Sequence, residues 1–152
     1  QDGLVEEEEA RQKYYAVMYS ETMQVNRLVD DLMDLMKLEN NEVTLAKFPV
    51  DVSDLLNKIA FSFHPEAEEK GISLEVDVQG ELPKIYADRD RVAQILKNLV
   101  KNALKFTEEG EIRLSAVAEE QWVRIQVTDT GVGISSDDLH RIWERFFKVD
   151  RG

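Results

Sequence analysis

The sequence predicts an α/β domain preceded by one long amphipathic helix, and three stretches carry that prediction. Residues Glu6 to Glu39 contain neither Gly nor Pro, and from Met18 onward their apolar residues recur at helical spacing. Beyond Asn40, segments that alternate apolar and polar side chains take turns with segments of helical period, as in an α/β fold. The third stretch is V-T-D-T-G-V-G-I, Val127 to Ile134, where an apolar run ends in an acid and then a turn with two glycines.

The helix comes first in the chain. Met18, Val25 and Leu32 stand seven apart, with Leu28, Val29, Leu35 and Met36 beside them, which gives the helix heptad character. A helix of about 30 residues is about 45 Å long, too long for one small domain to cover along its whole length. A partner helix, in a coiled or bundled dimer, is therefore expected, with packing on its own domain as the alternative. Glu6 to Glu9 read as a solvated first turn, favourable at a helix N-terminus.

Asn40-Asn41 breaks the helix, and the reading divides the chain into residues 1–40 and a second domain, 41–152. Val43 to Val50, which contains Pro49, reads as a short edge strand and linker. Asp51 and Asp54 offer N-caps for a helix through about Glu69, with Leu55, Leu56, Ile59, Ala60 and Phe63 inward. After Gly71, the alternation of Ile72, Leu74, Val76 and Val78 predicts a half-buried strand, and Lys84 to Ala87 a short second one. Asp88 starts a helix to Phe106. Ile112 to Ala118 and Trp122 to Thr128 read as a hairpin, followed by the octet and a helix from about Ser136 that closes on Phe146-Phe147.

Composition narrows the function classes. The 152 residues carry 31 acidic and 19 basic side chains, and a net charge of -12 opposes non-specific binding to nucleic acid or anionic membrane. No apolar run approaches the ~20 residues of a membrane span, and the N-terminus has none of the order of a signal peptide. A soluble piece is expected. With no cysteine there is no disulfide or thiolate chemistry, which fits a reducing compartment, and two scattered histidines make no zinc cage.

Chemistry concentrates in two places. In the octet, Asp129 offers a fixed acceptor beside backbone that Gly131 and Gly133 leave open to a ligand, which suits a nucleotide; a plain strand-to-helix turn wants the same glycines. On the helix from Asp88, Val92, Ile95, Leu96, Leu99 and Ala103 are the expected inner face. Asn98, Asn102 and Lys105 fall within an arc of roughly 60° at 100° per residue. Asparagine amide oxygen is a neutral, hard ligand suited to Mg²⁺, and lysine supplies a point charge for phosphates. Arg89, Arg91, Lys97, Lys101 and Lys105 make this the most basic segment of an acidic protein. The alternative is that the asparagines are solvated surface positions.

Taken together, N-L-V-K-N-A-L-K-F-T (Asn98 to Thr107), D-T-G-V-G-I (Asp129 to Ile134) and R-I-W-E-R-F-F (Arg141 to Phe147) resemble the asparagine, first glycine and phenylalanine boxes of sensor histidine kinases, in order and in spacing. R-L-V-D-D-L-M-D-L-M-K-L-E (Arg27 to Glu39) looks like the second helix of that family's dimerisation and phosphotransfer domain. The resemblance implies a Bergerat-type two-layer α/β sandwich with a mixed sheet, and ATP and Mg²⁺ as cofactors. By it, Asn102 would hold Mg²⁺, and Asn98 and Lys105 would lie along the phosphates. Asp129 would accept a hydrogen bond from the adenine amino group while Gly131 and Gly133 let the backbone approach. Ile134 would wall the adenine pocket, and Phe146 and Phe147 would anchor a lid, ordinary core packing being the alternative for the two phenylalanines. Implied partners are a second protomer through the N-terminal helix and the receiver domain of a response regulator. The implied setting is cytoplasmic, with any membrane attachment through other segments.

The phosphoacceptor histidine of the family, on the first dimerisation helix, has no counterpart, and neither His64 nor His140 is followed by Glu or Asp. Both are expected in surface or packing roles. The chain also stops before the second glycine box and final strand, so an incomplete domain is expected. A histidine kinase fragment is the leading reading. An ATP hydrolase of the same superfamily would want a glutamate as general base one turn before the metal-binding asparagine, where this chain has Asn98. A non-enzymatic dimerising or binding module is the third class.

Overall fold

A computed structural model describes residues 2–40 and 44–144, and the chain divides into two compact units, Gln1–Thr44 and Leu45–Gly152.

The first unit is the helix α1, Asp2–Glu39, which starts four residues earlier than Glu6 and, at 38 residues, is roughly 57 Å long. It stops where the Asn40 amide closes a last turn on the Met36 carbonyl at 3.1 Å. Met18, Val25, Leu28, Val29 and Leu32 are about half exposed or more, so the heptad seam read from the sequence lies open.

The second unit is a two-layer α/β sandwich. Its elements run β1 (Phe48–Val50), α2 (Val52–Glu69), β2 (Ile72–Gln79), β3 (Ile85–Ala87), α3 (Arg89–Phe106), β4 (Gly110–Ala118) and β5 (Val123–Asp129). β1 is shorter than the expected strand, since residues 44–47 are not in strand conformation. It pairs antiparallel with β3, Pro49 opposite Tyr86, in a two-stranded ribbon that tolerates a residue without an amide proton. The main sheet is mixed, with order β2-β4-β5: β2 runs parallel to β4 and β5 antiparallel to it.

Each helix starts where the sequence offers an acceptor. Asp51 Oδ1 takes the Asp54 amide at 3.0 Å, and Asp88 Oδ1 takes those of Asp90 and Arg91. Pro65 sits inside α2 and removes one amide donor, on a helix whose neighbouring Phe61 is 83% exposed, so water reaches the unpaired carbonyl. Alternate residues of the sheet turn inward, and Ile112, Leu114 and Ala116 of β4 meet Leu55, Leu56 and Ile59 of α2 and Val100 and Leu104 of α3 in one core. Burying each large aliphatic side chain contributes about 1.5–3 kcal/mol. The other face of the sheet is polar, with Arg113 between Glu75 at 3.7 Å and Glu111 at 3.0 Å.

Two expectations are corrected. α3 buries Leu96, Val100, Ala103 and Leu104, whereas Ile95 and Leu99 are 60% and 46% exposed. The helix carries two overlapping apolar stripes, and the sheet takes the one with more aliphatic volume. Residues 136–143 form turns and no helix; their few bonds, such as Leu139 N–H to Ser135 O at 3.1 Å, do not propagate. Leu139 and Trp143 are exposed, so the packing that usually stabilises a short helix is missing.

Candidate nucleotide-binding site

α3 presents its outer face as a strip. Ile95, Asn98, Leu99, Asn102, Lys105 and Phe106 fall within roughly 120° of arc at 100° per residue, opposite the buried side. All six are exposed. The asparagines therefore lie among apolar neighbours, a mixed amide and aliphatic surface rather than a purely solvated one. The sequence contained the signal, because Ile95 and Leu99 stand three residues before Asn98 and Asn102 respectively, but helical period alone did not say which apolar stripe would be buried. Lys105 Nζ rests 5.1 Å from the centre of the Phe106 ring. Lys105 has no carboxylate partner among the described residues, so this face keeps its positive charge for an anion.

The glycine-containing loop docks on the end of that helix. β5 delivers Asp129 at its last position, opposite Ile112 of β4. Thr130 then fastens the loop to the start of β4: its amide donates to Glu111 O at 3.1 Å, and its hydroxyl receives the Glu111 amide at 3.0 Å. Gly110, at φ +119°, leaves the space that the Thr130 hydroxyl fills. One residue on, the Gly131 amide donates to Asp129 Oδ1 at 2.9 Å, and the Val132 amide donates to the Phe106 carbonyl at 3.3 Å.

The two glycines have different reasons. A Cβ on Gly131 would collide with the Phe106 carbonyl and with Asp129 Oδ1. Gly131 is thus required by a close approach within the protein, where the sequence suggested either an approach to a ligand or a plain turn. Gly133 adopts φ +67° with open space around it, a conformation that costs an L side chain about 1–2 kcal/mol.

The structure brings Phe106 beside the Asp129–Val132 loop, with Lys105 the residue before it, Asn102 about one helical turn and Asn98 about two turns back along α3. Ile134 follows the loop and is 48% exposed. Phe146 and Phe147 lie outside the described residues. His64 and His140 are exposed, His64 on α2 and His140 in the turns after the loop. Asp129 spends Oδ1 on the Gly131 amide, and Oδ2 has no hydrogen bond among the described residues. This carboxylate is held in place by one oxygen and offers the other. The arrangement can accept an N–H donor at Asp129 while amides and a lysine on α3 meet an anion.

Comparisons with known proteins place the fold in a family. Residues 87–152 match the family model described as "Histidine kinase-, DNA gyrase B-, and HSP90-like ATPase". The sensor histidine kinase YclK of Bacillus subtilis (strain 168) is 33% identical over 156 residues, covering 98% of this chain and 33% of YclK. The chain thus spans about a third of that relative's length. Among solved structures, full-length ShkA in complex with AMPPNP superposes with a TM-score of 0.64 at 44% identity, over 67% of this chain and 22% of ShkA. Histidine kinase ThkA in complex with the response regulator protein TrrA gives a TM-score of 0.71 at 25% identity, over 84% of this chain and 38% of that one. By sequence and by fold, this chain contains the ATP-binding domain of the sensor histidine kinase family.

Proposed function

We propose that the chain is the catalytic ATP-binding part of a two-component sensor histidine kinase, which passes the γ-phosphoryl group of ATP to a histidine on a partner helix and thence to a response regulator. One observation carries the reading: a carboxylate pinned by its own loop, Asp129, is docked beside a helix end whose exposed face bears Asn98, Asn102 and Lys105. Asp129 Oδ2 accepts the adenine amino group, and Gly131 and Gly133 keep the loop backbone low against the base. Ile134 walls the pocket. Asn98 and Lys105 lie along the phosphates, Lys105 as a point charge.

Asn102 fits a role toward magnesium. Its amide oxygen is a neutral, hard donor, and Asn102 is exposed on the same strip of α3 as Lys105. Asn102 would hold the ion together with phosphate oxygens and water. When bound, the ion supplies charge neutralisation at the phosphates. The protein's own share is positioning: α3 holds amide and ammonium one turn apart, and the loop fixes the base. Hydrolysis of ATP is disfavoured because Asn98, one turn before Asn102, is no general base.

Residues 1–40 are read as the second helix of the dimerisation and phosphotransfer domain. The exposed seam through Met18, Val25 and Leu32 supports a second protomer there. ThkA captured with TrrA supports a response regulator as partner. Among the described residues no helix is long and apolar enough to cross a membrane, and ATP as substrate puts the domain in the cytoplasm.

The test is γ-labelled ATP given to the intact parent kinase and to its Asn102→Ala variant. The expected result is phosphohistidine on the parent and none on the variant; normal labelling of the variant would remove the role given to Asn102. This chain alone should remain unlabelled at His64 and His140.

A further inference from the structure

The C-terminus of α3 is tied by three different partners. A helix leaves its last carbonyls without intrahelical donors, and near such an end any bond comes from elsewhere. Here the Ala103 carbonyl still takes an ordinary helical amide, that of the capping Thr107, at 2.9 Å, whereas the Phe106 carbonyl takes the Val132 amide from the loop at 3.3 Å. The Leu104 carbonyl takes the ammonium of Lys70, at 2.8 Å in a half-buried setting, from 34 residues away. Among the described residues no amide reaches that carbonyl, because the chain turns out of the helix at Thr107, which is extended at φ -104°, ψ 118°.

Lys70 is well placed to do this. It ends α2, where its own amide bonds back to the Glu66 carbonyl at 3.3 Å and Gly71 turns the chain at φ +68°. Its backbone is fixed, and its side chain crosses to a helix that packs beside α2. A cation at a helix C-terminus also meets the negative end of the helix dipole. The residue it holds is flanked by the nucleotide strip: Leu104 is buried in the core, Lys105 follows it, and Asn102 lies two residues before. By contrast, the Asp129 loop has its own fastening through Thr130 and Glu111.

We propose that Lys70 is a positioning residue for the phosphate side of the nucleotide site, acting through the Leu104 carbonyl to hold the last turn of α3. The proposal rests on the nucleotide reading of Asn102, Lys105 and Asp129. Its consequence is selective: losing the Lys70 bond loosens the amide and lysine that meet the phosphates, while the base-reading loop, which also touches α3 through the Phe106 carbonyl, keeps its separate fastening to β4 through Thr130 and Glu111.

The experiment titrates this chain with Mg-ATP and with adenosine, comparing wild type, Lys70→Met, Lys70→Arg and Asp129→Ala, with melting temperatures measured on each. Lys70→Met should weaken ATP about threefold to tenfold, in the range of coupled neighbours in one network. Its adenosine affinity should stay at the wild-type value, and Lys70→Arg, which keeps charge and donor, should restore ATP binding. Wild-type ATP affinity in Lys70→Met, with Asp129→Ala weakened, would overturn the proposal and leave the site reading standing. An equal loss of ATP and adenosine in Lys70→Met would overturn it too, since that marks general loosening. If Asp129→Ala binds ATP as wild type does, the site reading falls and the proposal with it.

Discussion

The Ala46 amide donates to Asp88 Oδ2 at 3.0 Å, while Oδ1 of the same carboxylate caps α3 through the amides of Asp90 at 3.1 Å and Arg91 at 3.2 Å. One side chain thus fastens the chain entering the second unit to the first turn of the helix that carries the nucleotide strip. The Arg91 amide, then those of Ala46 and Asp90, favour the charged form and hold the Asp88 carboxyl below the usual aspartate value.

Asp88→Ala should lower the melting temperature by several degrees, and Asp88→Asn by less, since asparagine keeps one acceptor oxygen. The sign of the pH effect follows from the lowered carboxyl. The stabilisation is fully present above the ordinary aspartate value and is lost as pH falls through the folded one, below about pH 4. Thermal melts from neutral to acid pH should therefore show the gap between wild type and Asp88→Asn closing below that point. A gap independent of pH would show the charge to be irrelevant.

The choice of buried stripe on α3 is checked by two leucines. Leu104 is fully buried and Leu99 is 46% exposed. Leu104→Ala should cost about 2–5 kcal/mol in urea unfolding. Leu99→Ala should change stability by about 0.5 kcal/mol or less, as exposed substitutions usually do. Comparable losses would put Leu99 back in the core.

Gly131 and Gly133 should respond differently to alanine. At Gly131 the added Cβ meets the Phe106 carbonyl and the Asp129 carboxylate, so the loop must leave α3. At Gly133 only the positive φ opposes it, by about 1–2 kcal/mol. Nucleotide titration and melting should both show Gly131→Ala as the more damaged variant. The reverse order would mean that the loop does not dock on Phe106.

These contrasts separate what was legible in the residues from what was not. The starts of α2 and α3 were, because Asp51 or Asp54 and Asp88 stand before helical periods, and so was strand β2, because Ile72 to Val78 alternates without interruption. The face of α3 was not. Ile95 and Leu99 compete with Val100 and Leu104 for burial, and only the sheet that α3 packs against decides between them. Turns replaced the expected helix after Ser135 for a similar reason, since periodicity there had no surface to pack on. The reason for Gly131 was hidden as well, as the carbonyl it must clear belongs to Phe106, 25 residues earlier in the sequence. The Lys70 bond to Leu104 joins the ends of two helices and leaves no local pattern.

The most direct measurement is a Mg-ATP titration of this chain beside its Asp129→Ala variant. A hydrogen bond to a charged group is worth about 1.5–3 kcal/mol. The account therefore predicts saturable binding by the wild type and an affinity about tenfold to a hundredfold weaker in the variant. Equal affinities in the two proteins would contradict it.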